Sequence, residues 1–268
     1  MNLDHYLQRI GFRGVADAGR ETLDALMAAH VNTVTFENLN QQLGQPVTMD
    51  LADIYQKIVA QQRGGWCFEL NSLFGWALTE LGFDVDYLAG QVGRSEFAPE
   101  FLANHMLLRV KLDQPMLVDV GYGCGLTRSI PLSPNEQKQS PYVVSITQLN
   151  DGYNRYCEFV RGEPGTYDFT LEPVDRAYFE AASHRLQTDP ESPFLRTLTA
   201  QLRHHDKHMV LRGLVLRTVA HSGSEEVLLT SKGELVRCLL DVFGLDKPEI
   251  ADLWPKLQQR HEELFGSN

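Results

Sequence analysis

Cationic side chains are scarce in this chain: 24 Lys plus Arg stand against 35 Asp plus Glu, leaving a formal charge of −11 at neutral pH. No basic cluster offsets that balance, so nucleic acid is not expected as a partner. Long apolar runs are also missing. Nothing approaches the roughly 18 uninterrupted apolar residues of a membrane span, and no membrane partner is expected. Cysteine is sparse, with Cys67, Cys124, Cys157 and Cys238 widely scattered and none at a paired metal spacing. That usage fits a reduced protein better than a disulfide scaffold. The opening Met1-Asn2-Leu3-Asp4-His5 shows neither the basic nor the apolar region of a secretory signal, and the expected location is the cytoplasm. No internal repeat or low-complexity tract is present. What is there, at 43% hydrophobic over 268 residues, is an ordinary globular composition, long enough for a substantial core and one to three subdomains.

Within that composition, Arg63-Gly64-Gly65-Trp66-Cys67 stands immediately before a run with helical periodicity. Leu70, Leu73, Phe74, Ala77, Leu78 and Leu81 recur at three- and four-residue steps, and Gly82 ends the run. Cys67 therefore falls in the first turn, beside unpaired backbone N–H groups and the positive end of the helix dipole, a setting that favours thiolate. The two glycines permit a sharp turn and close approach of another molecule to the backbone. An isolated cysteine is more commonly a buried structural residue. Its partners decide.

A nucleophilic thiolate needs an imidazole to take its proton and a third group to hold that imidazole. Asn104 to Val110 and Met116 to Val120 read as strands joined by a short turn at Lys111 to Pro115. In such a hairpin, a register whose paired numbers sum to 224 sets His105 opposite Asp119, and 226 sets them on a diagonal. An odd sum would put them on opposite faces. A lone strand histidine is ordinarily a satisfied core or edge residue. An aspartate inside Leu117-Val118-Asp119-Val120 is harder to dismiss, because buried carboxylates are paired. Beyond it, Gly121-Tyr122-Gly123-Cys124-Gly125 is a glycine-rich turn of the kind that forms anion-binding nests. The following Leu126 to Pro131 does not read as a helix, which argues against a dinucleotide-binding fingerprint.

Organisation along the chain gives the fold class. Stripes at Leu3 to Ile10, Leu23 to Val31 and Leu51 to Val59, the last capped by Asp50, precede the Cys67 helix. Alternating, β-branched segments follow over 83–92, 105–110, 116–120, 142–149, 156–161 and 167–171, with a hairpin turn at Asn150-Asp151-Gly152. Thereafter 176–186 and 194–202 read as helices, 209–219 and 226–230 as strands, and Ser231 with Glu234 opens another helix. A final helix over 248–265 carries Pro255 as a possible kink. The class is α+β: helical 1–82, an antiparallel β part over 83–175, and a mixed part over 176–268. His204 and His208, four apart, lack the flanking glutamate of a zincin and read as solvated surface, so no metal is expected.

These residues together resemble a known family. Arg63-Gly64-Gly65-Trp66-Cys67-Phe68-Glu69 with Asn71, then Asn104-His105, then Val118-Asp119-Val120-Gly121-Tyr122-Gly123, resemble the arylamine N-acetyltransferases. Phe36-Glu37-Asn38-Leu39 is similar to that family's Pro-Phe-Glu-Asn-Leu signature, with Thr35 in place of the proline. The likeness is strongest from Phe36 to Gly125 and weak after about Thr188, where Ser192-Pro193-Phe194 and Gly213 look like remnants. It implies a papain-like fold: an N-terminal helical bundle, a central antiparallel β-barrel and a C-terminal α/β lid. Cys67 would accept the acetyl group, His105 would be its base and Asp119 the orienter. Gly121, Gly123 and Gly125 would receive the pyrophosphate of acetyl-coenzyme A, the co-substrate. Phe36 would help form the acceptor pocket, with Phe68, Trp66 or Tyr122 excluding water. The family's usual Gly-Phe-Gly-Gly is replaced here, and Cys124 bears on the loop's shape. Of the cations near these motifs, Arg94, Arg109 and Arg128 are candidates for the coenzyme's charge. The implied reaction is two-step acetyl transfer to an arylamine, arylhydrazine or N-hydroxyarylamine. The same triad would also serve a cysteine hydrolase, a transglutaminase-like enzyme or an amide synthase, and a non-catalytic binding protein is a third class. Oligomeric state is not legible.

Overall fold

The computed structural model describes residues 1–15, 17–95, 101–123, 125–160 and 163–266. Cys124, and Arg161 at the end of an expected strand, lie outside the described residues. The first part is helical. Asn2 caps α1 (Leu3–Ile10) by accepting the His5 N–H at 3.0 Å, and Gly11 at φ +70° ends it. Next come α2 (Arg20–Thr33), the short strand β1 (Phe36–Glu37) and the single turn α3 (Leu39–Gln42). α4 (Leu51–Tyr55), capped by Asp50, widens into a π turn over Gln56–Ala60. α5 (Cys67–Glu80) is buried on nearly every side, as its apolar sequence requires.

Eight antiparallel strands follow: β2 (Asp84–Val92), β3 (His105–Lys111), β4 (Pro115–Val118), β5 (Ile130–Pro131), β6 (Asn135–Gln139), β7 (Tyr142–Gln148), β8 (Asn154–Val160) and β9 (Glu163–Val174). Their spatial order is β5-β4-β3-β2-β9-β8-β7-β6. The edge strands β5 and β6 are joined by a short link in which Asn135 donates to the Pro131 carbonyl at 2.8 Å, so the sheet curls back on itself into a near-closed barrel. α5 packs against β2 and β3, and one continuous core joins the helices to the barrel strands.

In the last part a 3₁₀ turn (Arg176–Tyr178) leads into α6 (Phe179–Thr188) and α7 (Pro193–Arg196). Then β10 (Thr199–Arg203), β11 (Lys207–Arg212), β12 (Val215–Ala220) and β13 (Gly223–Leu228) form a sheet ordered β1-β10-β11-β12-β13. β1 thus leaves the helical part to become the edge of the C-terminal sheet, pairing Phe36 with Gln201. α8 (Lys232–Phe243), a 3₁₀ segment (Pro248–Leu253) and α9 (Trp254–Phe265) complete the chain. Leu198, Ala200, Leu202, Met209 and Leu211 pack with Leu235, Leu239, Phe243 and Leu257 in a second core.

Three expectations are corrected here. The helix over 194–202 is one turn followed by β10, because Leu198, Ala200 and Leu202 bury alternately against α8, a period of two rather than 3.6. The single strand over 209–219 is a hairpin that reverses at Gly213, φ +59°. Pro255 does not kink the final helix; it stands in the first turn of α9, where no N–H is needed.

Candidate active site

Cys67 begins α5, and a buried charge network holds that helix start in place. Glu69 accepts the Trp66 N–H at 3.3 Å, and Lys57 Nζ donates to both Glu69 oxygens at 2.8 and 2.9 Å. Arg63 donates to Glu37 at 2.7 Å, with Lys57 4.0 Å from the same carboxylate. Burial pushes the Glu37 carboxyl up, and Lys57 with Arg63 outweigh it, holding Glu37 below the usual range. For Glu69 burial prevails over Lys57 and its value rises. Gly64 and Gly65 have ordinary backbone conformations; what they provide is closeness rather than a turn. A Cβ on Gly64 would lie 2.1 Å from the Thr35 carbonyl oxygen, and Gly65 bridges to Phe36 in parallel.

The β3–β4 hairpin pairs Leu108 with Val118 and Arg109 with Leu117, the register that sums to 226. His105 and Asp119 are accordingly diagonal neighbours, and Nε2 of the ring lies 2.7 Å from Asp119 Oδ2. With Nε2 occupied, Nδ1 is the ring nitrogen left for Cys67, whose sulfur lines the same cleft and lies 3.9 Å from the Asn104 carbonyl. Burial pushes the His105 value down, but the charge and hydrogen bond of Asp119 and the Cys67 sulfur lift it to about 10. Burial pushes Asp119 up, and His105, Asn71 and the Gly121 N–H bring it below the ordinary carboxylate range.

Asn71, one turn along α5 from Cys67, is a holding residue that the sequence contained without disclosing its job. Its Nδ2 donates to Asp119 Oδ1 at 2.9 Å and to the Met106 carbonyl at 2.6 Å, while its Oδ1 accepts the Val120 N–H at 3.0 Å. Tyr167, also unanticipated, places its ring 4.8 Å from His105, and Tyr122 stands 5.5 Å away on another side. The ion pair is thus roofed by aromatic rings. The only prior signal for Tyr167 was its place in an alternating strand.

The linkage of this pair to stability has a definite sign. His105, raised in the fold, contributes fully below its unfolded value of 6.5 and loses that contribution as pH rises toward about 10. Asp119, lowered in the fold, contributes above the ordinary carboxylate range and loses it on acidification. The melting temperature of the native protein is therefore expected to fall more steeply between pH 6.5 and 10 than that of His105→Gln, measured in the same buffers. Parallel profiles would refute the assignment.

The glycine loop is a nest, but its anion is internal. Asp119 Oδ1 accepts the N–H groups of Gly121 at 2.8 Å and Tyr122 at 3.1 Å, and Glu158 accepts that of Gly125 at 2.6 Å. Those three N–H groups are engaged by the protein's own carboxylates. Glycine is needed for contact instead: a Cβ on Gly121 would lie 2.5 Å from Asn71 Nδ2 and 2.8 Å from Cys67 Cα, and one on Gly125 2.3 Å from Glu158. Gly123, at φ +97°, is the left-handed member. Cys124 lies outside the described residues.

A cleft of about 460 Å³ opens on Cys67 and His105. Phe36, Gly121 and Tyr122 line it, as do Phe194, Leu186 and Val210 from the last part of the chain. Phe68 does not: it is fully buried between Trp66 and Phe179, with ring centroids at 5.1 and 5.6 Å. Of the candidate cations, Arg94 is bound to Asp151 and Asp168, Arg109 to Asp86, and Arg128 is exposed. His208 is not solvated surface; it is buried with Nδ1 2.7 Å from the Tyr142 hydroxyl, and burial lowers it to about 3. Among the described residues no group of His, Cys, Asp and Glu could hold a metal, and no helix is long and apolar enough to cross a membrane.

Comparison with known proteins places these features in context. A family model described as N-acetyltransferase matches residues 20–250. The arylamine N-acetyltransferase of Mycolicibacterium smegmatis is 35% identical over 263 residues, covering 94% of each chain. The solved M. smegmatis arylamine N-acetyltransferase superposes with a TM-score of 0.88 at 34% identity, covering 97% of this chain and 98% of that one. The Mycobacterium marinum arylamine N-acetyltransferase, solved in complex with CoA, superposes at 0.86 with 30% identity, covering 98% and 99%.

Proposed function

This chain belongs to the arylamine N-acetyltransferase family, and from that premise we propose that it moves the acetyl group of acetyl-coenzyme A to an arylamine, arylhydrazine or N-hydroxyarylamine through acetyl-Cys67. The observation that carries the site assignment is that Cys67 and His105 open on one cleft while the His105 ring is held 2.7 Å from Asp119. We read the chain as three parts, 1–82, 83–175 and 176–268, with the cleft at their junction, acting in the cytoplasm.

In the first step the Cys67 thiolate, paired with His105 imidazolium, attacks the thioester carbonyl and a carbon–sulfur bond forms. The N–H of Cys67, in the first turn of α5, is free of intrahelical acceptors and is the donor assigned here to the developing oxyanion; such a donor is typically worth about 3–4 kcal/mol. Collapse breaks the bond to coenzyme A, whose thiolate takes the proton from His105. In the second step the neutral amine attacks acetyl-Cys67, its proton passes to His105, and the Cys67 thiolate leaves. Aromatic amines are largely neutral at pH 7, so the demanding task is exclusion of water from the intermediate. Phe36, Tyr122 and Phe194 along the cleft support that reading over a hydrolytic one.

Mass spectrometry after mixing with acetyl-coenzyme A is the direct test. A 42 Da adduct on Cys67, discharged promptly by an arylamine and slowly by water, is the expected result, with no adduct in Cys67→Ser and severe slowing in His105→Ala. Rapid discharge by water alone would assign a hydrolase instead.

A further inference from the structure

We infer that Arg212 is a specificity-determining residue of the cleft, selecting acceptors that carry a carboxylate on the aromatic ring; this rests on the acetyl-transfer reading above.

The C-terminal sheet provides the placement. Across it Phe36 pairs with Gln201 and Gln201 with Val210, while Thr199 pairs with Arg212 in the next row on the same face. That face, Phe36, Thr199, Gln201, Val210 and Arg212, lines the cleft that contains Cys67 and His105. The opposite face, Ala200, Leu202 and Leu211, is committed to the C-terminal core. Strand alternation therefore delivers the guanidinium to the substrate side by the same register that buries its neighbours.

Arg212 is exposed, and among the described residues its side chain makes no ion pair or hydrogen bond. The second cation of the cleft, Arg260, is already neutralised: it donates to Glu263 at 2.6 Å and to Thr197 at 3.0 Å. An uncompensated cation at a concave, largely apolar surface is uncommon in a chain of net charge −11, and such a surface concentrates attraction for an anion. The guanidinium fork suits the two oxygens of a carboxylate.

The row that carries Arg212 lies apart from the glycine loop. A Cβ on Gly123 would meet the Gln201 side chain at 3.0 Å, so the glycine loop abuts the Gln201 row. The Thr199–Arg212 row is two residues away along β10, about 7 Å, in the direction of Thr197 and the α7 turn. From the strand of Phe36 to that of Arg212 is two strand spacings, about 10 Å, a span filled by one substituted benzene ring and an arginine side chain.

The experiment measures kcat/KM for 4-aminobenzoate and for 4-methylaniline, a neutral amine of similar size, in the native protein, Arg212→Gln and Arg212→Lys. The preference for 4-aminobenzoate should fall about five- to tenfold in Arg212→Gln, the effect of one partly exposed charge pair, and recover in part in Arg212→Lys. The native preference should shrink as salt is raised. A preference unmoved by Arg212→Gln, or equal losses for both amines, overturns the assignment. So does a raised KM for acetyl-coenzyme A with the preference intact, which would give Arg212 to the coenzyme phosphates. Acetylation of Cys67, followed by mass in all three proteins, separates the two readings. No adduct on the native protein removes the acetyl-transfer reading itself, whereas an adduct with an unmoved preference removes only the role of Arg212.

Discussion

Asp119→Asn is expected to slow acetyl transfer by about 10⁴-fold while leaving a folded protein, the magnitude seen when the equivalent carboxylate of a nucleophile–histidine–aspartate triad becomes an amide. The reason is specific to how Asp119 is held. One oxygen accepts from Asn71, Gly121 and Tyr122, and the other faces the His105 ring nitrogen at 2.7 Å. An amide oxygen can replace the first, and its NH₂ then points at Nε2. Nε2 must then surrender its proton to accept that hydrogen bond, so the remaining proton moves to Nδ1, the nitrogen that should receive it from Cys67. The imidazolium also loses the charge that raises it to about 10. Pre-steady-state acetylation followed by mass should show loss in the Cys67 loading step itself; loss confined to the discharge step would contradict this account.

The second large effect is on stability. Removing Arg63 as Arg63→Met takes from Glu37, fully buried, the guanidinium that donates to it at 2.7 Å and leaves Lys57, 4.0 Å away, as its remaining cation. Breaking one side of a buried pair in this way typically costs about 3–5 kcal/mol. Urea unfolding should show that loss for Arg63→Met and a comparable one for Glu37→Leu, which strands Arg63. Arg63→Met with Glu37→Leu together should cost clearly less than the two added, because neither charge is then abandoned. Additive losses would mean that the two side chains act independently.

What could be read from the residues follows the physics of each signal. The Cys67 helix was legible because an apolar stripe and a terminal glycine are local, and His105 with Asp119 because an acid in an apolar strand demands a partner. An even register was the condition for that pairing; the residues alone left its parity and value open, since both depend on the turn at Lys111 to Pro115. Phe194 to Leu202 misled because Leu198 and Leu202 are four apart, a helical step that also satisfies a strand. The strand is chosen by α8, far along the chain. Phe68 reads like its neighbour Cys67 in sequence, yet one residue along a helix turns a side chain by about 100°, away from the cleft. The glycine loop carries no sequence mark of which anion fills it.

The two residues of β1 have a consequence for how the protein comes into being. Phe36 can join Gln201 only by closing a loop of more than half the chain, a step whose entropy must be met before the contact returns anything. During synthesis, the nucleophile and its two partners emerge long before β10 and β11, so the cleft has no wall across from the Cys67 sulfur until those strands follow. Competence as a transferase arrives only when the last third has been released and has captured that early strand.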